Sequence, residues 1–202
     1  MIKNIFFDFW GTLSYLEQGI DFGEEISKIF GIKKEEYLAF VEDVWFKRDV
    51  SPEQFALLLT TKFSGNESDI GRLIELIKNP LKRTQLYPET IKTLERLYPI
   101  YDLFIISDTS SVGKEAVKNL DLVRYFKKLF FSCDYNMRKN EGLYKRAFSE
   151  LGIKPSECLV IGNSIKSDYE IPKSVGARAL LLDREGRLEG LDLIRNLEGL
   201  LR

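Results

Sequence analysis

The chain opens on an apolar run, Ile2 to Phe7, that stops at Asp8. It is too short for a helix and rich in β-formers, which predicts a buried strand broken by Gly11. From about Ile20 to Asn79 the period changes. Ile26, Ile29 and Phe30 recur at helical spacing, as do Tyr37, Phe40, Val41, Val44 and Trp45. Phe55, Leu58 and Leu59 follow suit, then Ile70, Leu73, Ile74 and Ile77. Ser51-Pro52-Glu53 has the form of a helix start, with proline in the first turn. This stretch predicts four helices and no strand.

After Asn79-Pro80 the pattern alternates. Helices are expected over Pro88–Leu97, Val112–Leu120, Leu143–Leu151 and Tyr169–Val175, the last two closed by Gly152 and Gly176. Strands are expected at Leu103–Ile106, Leu129–Phe131, Cys158–Ile161 and Ala179–Leu182. Such alternation predicts a parallel sheet with helices on both faces. The expected architecture is α/β: a Rossmann-like three-layer core formed by residues 1–15 and 82–202, interrupted by an inserted four-helix cap at 16–81. The amphipathic GLDLIRNLEGLLR reads as a last helix docked on the sheet.

Composition narrows the chemistry. Hydrophobic residues are 44% of the 202 positions, enough for a real core, and 30 basic against 31 acidic residues leave a net charge of −1. That balance does not suggest a nucleic-acid partner. No apolar run approaches the roughly 20 residues of a membrane span, and the first residues carry no signal-peptide pattern, so a soluble, cytoplasmic protein is expected. The two cysteines, Cys133 and Cys158, lie in or beside apolar runs and read as small buried hydrophobes. Histidine is absent altogether. This removes Ser-His-Asp and Cys-His triads and every His-ligated metal site.

In open parallel sheets, ligands gather beyond the carboxyl ends of the strands. Asp8-Phe9-Trp10-Gly11-Thr12 follows the first strand and Ser107-Asp108-Thr109 the second. Lys139 lies in the loop after the third, and Gly162-Asn163-Ser164, then Asp168, follow the fourth. A carboxylate nucleophile, hydroxyl donors, an ammonium and a second carboxylate would meet on one edge.

Taken in order, FFDFWGTL, IISDTS, Lys139, and GNSIKSD followed by VGARALLL resemble the motifs of the haloacid dehalogenase (HAD) superfamily across essentially the whole chain. The resemblance implies that Asp8 is the nucleophile, forming an acyl intermediate that splits one hard step into two. It implies that Thr12 orients the nucleophile loop and that Ser107 and Lys139 hold the transferring group. Asp8, Asp168 and the Trp10 backbone carbonyl would hold Mg²⁺, an ion suited to an all-oxygen site with several waters. Trp10, Asp108 and Asn163 would contact a small-molecule substrate. The lysine loop, MRKNEGLY, is one residue short and lacks the proline that usually follows the lysine, so Arg138 competes for that role.

Two departures bear on the reaction. The phosphatase branches carry a second Asp two residues after the nucleophile, and here that residue is Trp10. Indole moves no proton near neutral pH. Asn163 stands where many family phosphatases carry a metal-site Asp. The expected activity is Mg²⁺-dependent hydrolysis of phosphomonoesters with weakened acid–base help. One alternative is the dehalogenase branch, which needs no metal and carries an aromatic residue after the nucleophile. Tyr144 fits that branch. Arg48 is its nearest candidate for a substrate-carboxylate clamp, whereas Ile165 replaces a polar contact. The other alternative is a catalytically impaired fold that binds a ligand. Trp45 and Phe46 read chiefly as cap core, with substrate contact as the other reading.

Overall fold

The computed structural model describes residues 1–17, 19 and 21–201. In chain order, β1 (Asn4–Phe7) and β2 (Ser14–Leu16) precede four helices. These are α1 (Phe22–Phe30), α2 (Lys34–Phe40), α3 (Pro52–Lys62) and α4 (Ile70–Arg83). Then come β3 (Thr84–Leu86), α5 (Thr90–Leu97), β4 (Asp102–Ser107), α6 (Ser111–Asn119), β5 (Lys128–Phe131) and α7 (Ser132–Tyr135). The chain ends with α8 (Leu143–Leu151), β6 (Cys158–Gly162), α9 (Ile171–Ser174), β7 (Arg178–Leu182) and β8 (Leu193–Ile194).

Six strands form one parallel sheet in the order β5-β4-β1-β6-β7-β8. β1 is buried along its length because it has neighbours on both sides and helices on both faces. Its side chains alternate between two cores. Ile5 and Phe7 pack with Leu94 and Leu97 of α5 and Ala116 and Val117 of α6. Phe6 packs with Leu143, Tyr144, Ala147 and Phe148 of α8. The result is the expected three-layer α/β core. The chain leaves β1 towards β4 on one side and returns to β6 on the other, so the sheet's switch point lies at the carboxyl end of β1.

The helical insertion has a core of its own, built on Ile26, Trp45, Phe55, Leu59, Leu73 and Ile77 and joined by Val112 from α6. The expected start at Ser51 is present as a capping box: the Ser51 hydroxyl accepts from the Gln54 N–H, and Gln54 accepts from the Ser51 N–H.

Several details differ from the sequence reading. The insertion joins the sheet through a two-stranded antiparallel ribbon, β2 with β3, that no pattern announced. Helix α4 runs through Pro80 to Arg83, held by Leu73, Ile77 and Leu81 packed against neighbouring helices. The run from Tyr37 to Trp45 divides into α2 and a π-helical turn, Val41–Trp45. The last helix is absent among the described residues: this segment instead forms β8 and a 3-10 turn, Leu197–Leu201. The open edge of β7 explains this, because the Leu181 and Asp183 N–H groups donate to Asp192 and Ile194 carbonyls. No described helix is long and apolar enough to cross a membrane.

Candidate active site

Asp8 follows the central strand directly, and its backbone N–H donates to the Ile161 carbonyl of β6. Lys139 arrives from a 3-10 turn on the far side of β4. That turn is anchored by Asp108, whose Oδ1 accepts the Lys139 backbone N–H at 2.8 Å, and by Glu141, which accepts the Arg138 N–H at 3.0 Å. Asp168 lies on a π-helical turn, Ile165–Glu170, after β6. Its Oδ2 accepts the Ser164 N–H at 3.0 Å, while the Asp168 N–H donates to the Ser164 carbonyl. Gly162 must be glycine here, since a Cβ would run into the Asp168 carboxylate.

These elements bring three charges together. The Lys139 Nζ donates to Asp8 Oδ1 at 2.6 Å and to Asp168 Oδ1 at 2.7 Å, and all three groups are buried. Lys139, not Arg138, is the cation between the carboxylates. Arg138 turns outward to Glu42 at 2.7 Å, with Asp108 at 3.6 Å. Burial pushes the Asp8 carboxyl up to about 6 despite the attraction of Lys139. Burial opposes the Lys139 charge, but Asp168 and Asp8 outweigh it and hold the ammonium well above its ordinary range.

Ser107 ends β4 with its hydroxyl fully buried and without a hydrogen-bond partner among the described residues. A buried donor left unmade is costly, and this one sits at the strand end beside β1. Thr12 is buried, its hydroxyl donating to Asn163 Oδ1 at 3.4 Å. Asn163 itself is exposed. The Trp10 indole N–H donates to Thr109 Oγ1 at 3.0 Å. Burial raises the Asp108 carboxyl, against the opposing pull of Lys139 and Arg138.

The sequence reading names Thr109 without a role and omits Ser132 and Arg184. Thr109 and Ser132 exchange hydrogen bonds, at 2.9 and 3.2 Å, that hold the turn after β4. Arg184 lies two residues beyond β7, within reach of the strand-end rule. It donates to the Thr12 carbonyl at 3.0 Å, pairs with Glu89 at 2.6 Å and lies over the Tyr87 ring. Tyr144, read from its place after the lysine loop, is fully buried and donates to Asp168 Oδ1 at 3.3 Å.

A metal ion is implied by the resemblance. Two carboxylate oxygens near enough to share one ammonium are near enough to share one divalent cation. Asp8 and Asp168 therefore fit Mg²⁺, with water completing the shell. Asn163 turns its amide oxygen to the Thr12 hydroxyl, and Asp168 already accepts three hydrogen bonds. The donor set suits a weakly held ion.

A family model described as haloacid dehalogenase-like hydrolase matches residues 2–176. The chain belongs to that family. Among solved structures, a HAD phosphatase from Thermococcus onnurineus is 25% identical, with a TM-score of 0.69 over 98% of this chain and 96% of that one. A 2-haloacid dehalogenase from Pseudomonas syringae pv. Tomato DC3000 shares the fold at 20% identity, with a TM-score of 0.69 over 100% and 97%. A HAD family enzyme of Bacteroides thetaiotaomicron, in complex with magnesium and inorganic phosphate, shares it at 18% identity, with a TM-score of 0.72 over 94% and 98%. A phospholysine phosphohistidine inorganic pyrophosphate phosphatase of Xenopus laevis is 35% identical over 77 residues. That stretch is 36% of this HAD-like chain and 28% of the relative's length.

Proposed function

We propose that this HAD-like hydrolase is a phosphomonoesterase acting on a small metabolite through Asp8, with Mg²⁺ bound. The reading rests on the buried Asp8–Lys139–Asp168 array beside the unpartnered Ser107 hydroxyl. It also agrees with the phosphatase relatives. Such an array suits a reaction in which a carboxylate meets an anionic group away from water.

An Asp8 oxygen attacks phosphorus, and the P–O bond to the leaving group breaks with its electron pair. Water then attacks the phosphorus of the aspartyl phosphate, gives up a proton to solvent, and frees Asp8 and phosphate. Two unit charges at 4 Å repel by about 1 kcal/mol in water and about 4 at an effective dielectric of 20. Lys139 and the Ser107 hydroxyl offset this for the transferring oxygens. When Mg²⁺ is held by Asp8, Asp168 and the Trp10 carbonyl, the chemistry it supplies is further screening of that charge. The helical insertion acts as a cap that excludes bulk water. Trp10 gives no proton to the leaving group, a loss of about 10²–10⁴-fold on poor leaving groups.

The test is phosphate release from a panel of phosphomonoesters, with and without Mg²⁺, by the wild type and Asp8→Asn. Release that needs Mg²⁺ and disappears in the variant is expected. A folded wild type that releases no phosphate sinks the reading.

One observation favours a second reading, hydrolysis of a carbon–halogen bond. Tyr144 and Lys139 together occupy Asp168 Oδ1, a cation-bridged arrangement complete without metal. Halide also leaves without a proton, so Trp10 costs nothing there. Against it, Arg48 is exposed and Ile165 offers no polar contact. Halide release from 2-haloacids, absent in Asp8→Asn, would establish this reading instead.

A further inference from the structure

Between the insertion and the sheet lies a cavity of about 370 Å³ whose walls include Trp10, Trp45, Phe46, Pro80 and Val112. It borders the catalytic loops on the core side, since Trp10 is two residues after Asp8 and Asp108 directly follows Ser107. Both indoles are fixed. Trp10 is tied to Thr109, and Trp45 stacks on Phe55 at 4.2 Å with planes 12° apart. The only charged side chain among the lining residues is Asp108, whose carboxylate is turned to the Lys139 N–H and to Arg138. Among the described residues no cation lines the cavity, so a leaving group with a second phosphate or a carboxylate would meet a carboxylate there and no partner. A flat apolar group would meet aromatic faces.

Proton chemistry points the same way. Trp, Ser and Thr side chains donate no proton usefully near neutral pH, so the leaving group must depart largely as its anion. A phenol, with a pKa of about 10, does this far more readily than an alkanol near the value of about 16 for water. On the phosphatase reading above, we propose that the substrate is a small aryl phosphate whose phenolic ring sits between Trp10, Trp45 and Phe46. The Asp8 oxygen bonds to phosphorus, the P–O(aryl) bond breaks, and the phenolate leaves and is protonated by solvent. The second step also lacks a base to activate water, so the aspartyl phosphate accumulates and phenol release runs ahead of phosphate release.

Rapid-mixing measurements with phenyl phosphate, 4-nitrophenyl phosphate, an alkyl phosphate and acetyl phosphate, all with Mg²⁺, test this. The expected result is a kcat/KM for the aryl esters at least about 100-fold above the alkyl ester. A burst of about one phenol per protein should precede steady turnover. Phe46 is half-buried at the cavity wall, so Phe46→Ala should fold. It should raise KM for phenyl phosphate about tenfold with kcat kept, and Phe46→Leu should recover most of that loss. Alkyl and aryl esters hydrolysed equally, or acetyl phosphate turned over with no aryl preference, would overturn the assignment and leave the phosphatase reading standing. Turnover of a phosphotyrosyl peptide as fast as phenyl phosphate would overturn the small-molecule assignment. If Asp108→Asn removed a basic limb in the pH profile for the alkyl ester, Asp108 would be the acid and the argument from the leaving group would fall. No release from any of the four would sink the phosphatase reading itself.

Discussion

Lys139 carries its charge at a depth where an unpaired ammonium would be neutralised, and it does so because Asp8 and Asp168 face it together. The three groups sum to one net negative charge, so removing different members has opposite effects. The Asp8 carboxyl titrates at about 6 in the fold, against an ordinary 3.8. The folded protein therefore binds this proton more tightly than the unfolded chain. Its contribution to stability is complete below pH about 4 and lost as pH rises through about 6. Asp8→Asn removes that loss, and urea unfolding at pH 7 should find the variant more stable by about 3 kcal/mol. The gain should vanish below pH about 4, and a gain independent of pH would refute this origin. Lys139→Met leaves two carboxylates buried without a cation and should cost about 3–5 kcal/mol. The double variant should recover part of it, and a single-variant cost below about 1 kcal/mol would show that the array is solvated.

At the scale of elements, the site depends on how closely the chain can approach itself. Gly162 ends β6 where a Cβ would strike the Asp168 carboxylate. Gly162→Ala should push Asp168 away from Lys139 and lower kcat by about tenfold or more while the fold persists, since a misplacement of about 1 Å costs about 10²-fold. Unchanged kcat with a native circular dichroism spectrum would mean that Asp168 relocates freely. Most of this architecture was legible in the residues. The sheet strands up to β7 were readable because each is a short apolar run followed by a turn, and that same feature marked Asp8, Ser107 and Asp168 as neighbours. The β2–β3 ribbon was not legible: three residues per strand carry too little period to register. β8 was masked by a coincidence, for Leu191, Ile194, Leu197 and Leu201 fit a helical period while their backbone completes a sheet edge. Nothing in local sequence says that β7 needs an edge partner. Asp108 as anchor of the lysine loop, and Lys139 rather than Arg138 between the carboxylates, required three-dimensional contact.

Across the whole molecule, the insertion is tied to the sheet core by two kinds of contact with different responses to solvent. Val112 of α6 sits in the insertion's apolar cluster. Around it run ion pairs, Lys47 with Glu141 at 2.6 Å, Arg138 with Glu42 at 2.7 Å and Lys114 with Asp49 at 2.7 Å. Each pair has a partly exposed carboxylate and contributes about 0.2–1 kcal/mol, so salt can loosen the set without unfolding either part. The screening length falls from about 10 Å at 0.1 M to about 3 Å at 1 M. The chain's two tryptophans both line the cavity, Trp10 from the core and Trp45 from the insertion. Opening would wet both, so indole emission reports closure directly. Raising salt to about 1 M should shift the emission to the red and increase acrylamide quenching at unchanged secondary structure. Lys114→Ala should move the low-salt spectrum in the same direction, and inorganic phosphate with Mg²⁺ should reverse it if anion binding favours the closed form. Quenching that ignores both salt and the Lys114 substitution would mean that apolar contact alone sets the closed position, and that the ion pairs merely decorate it.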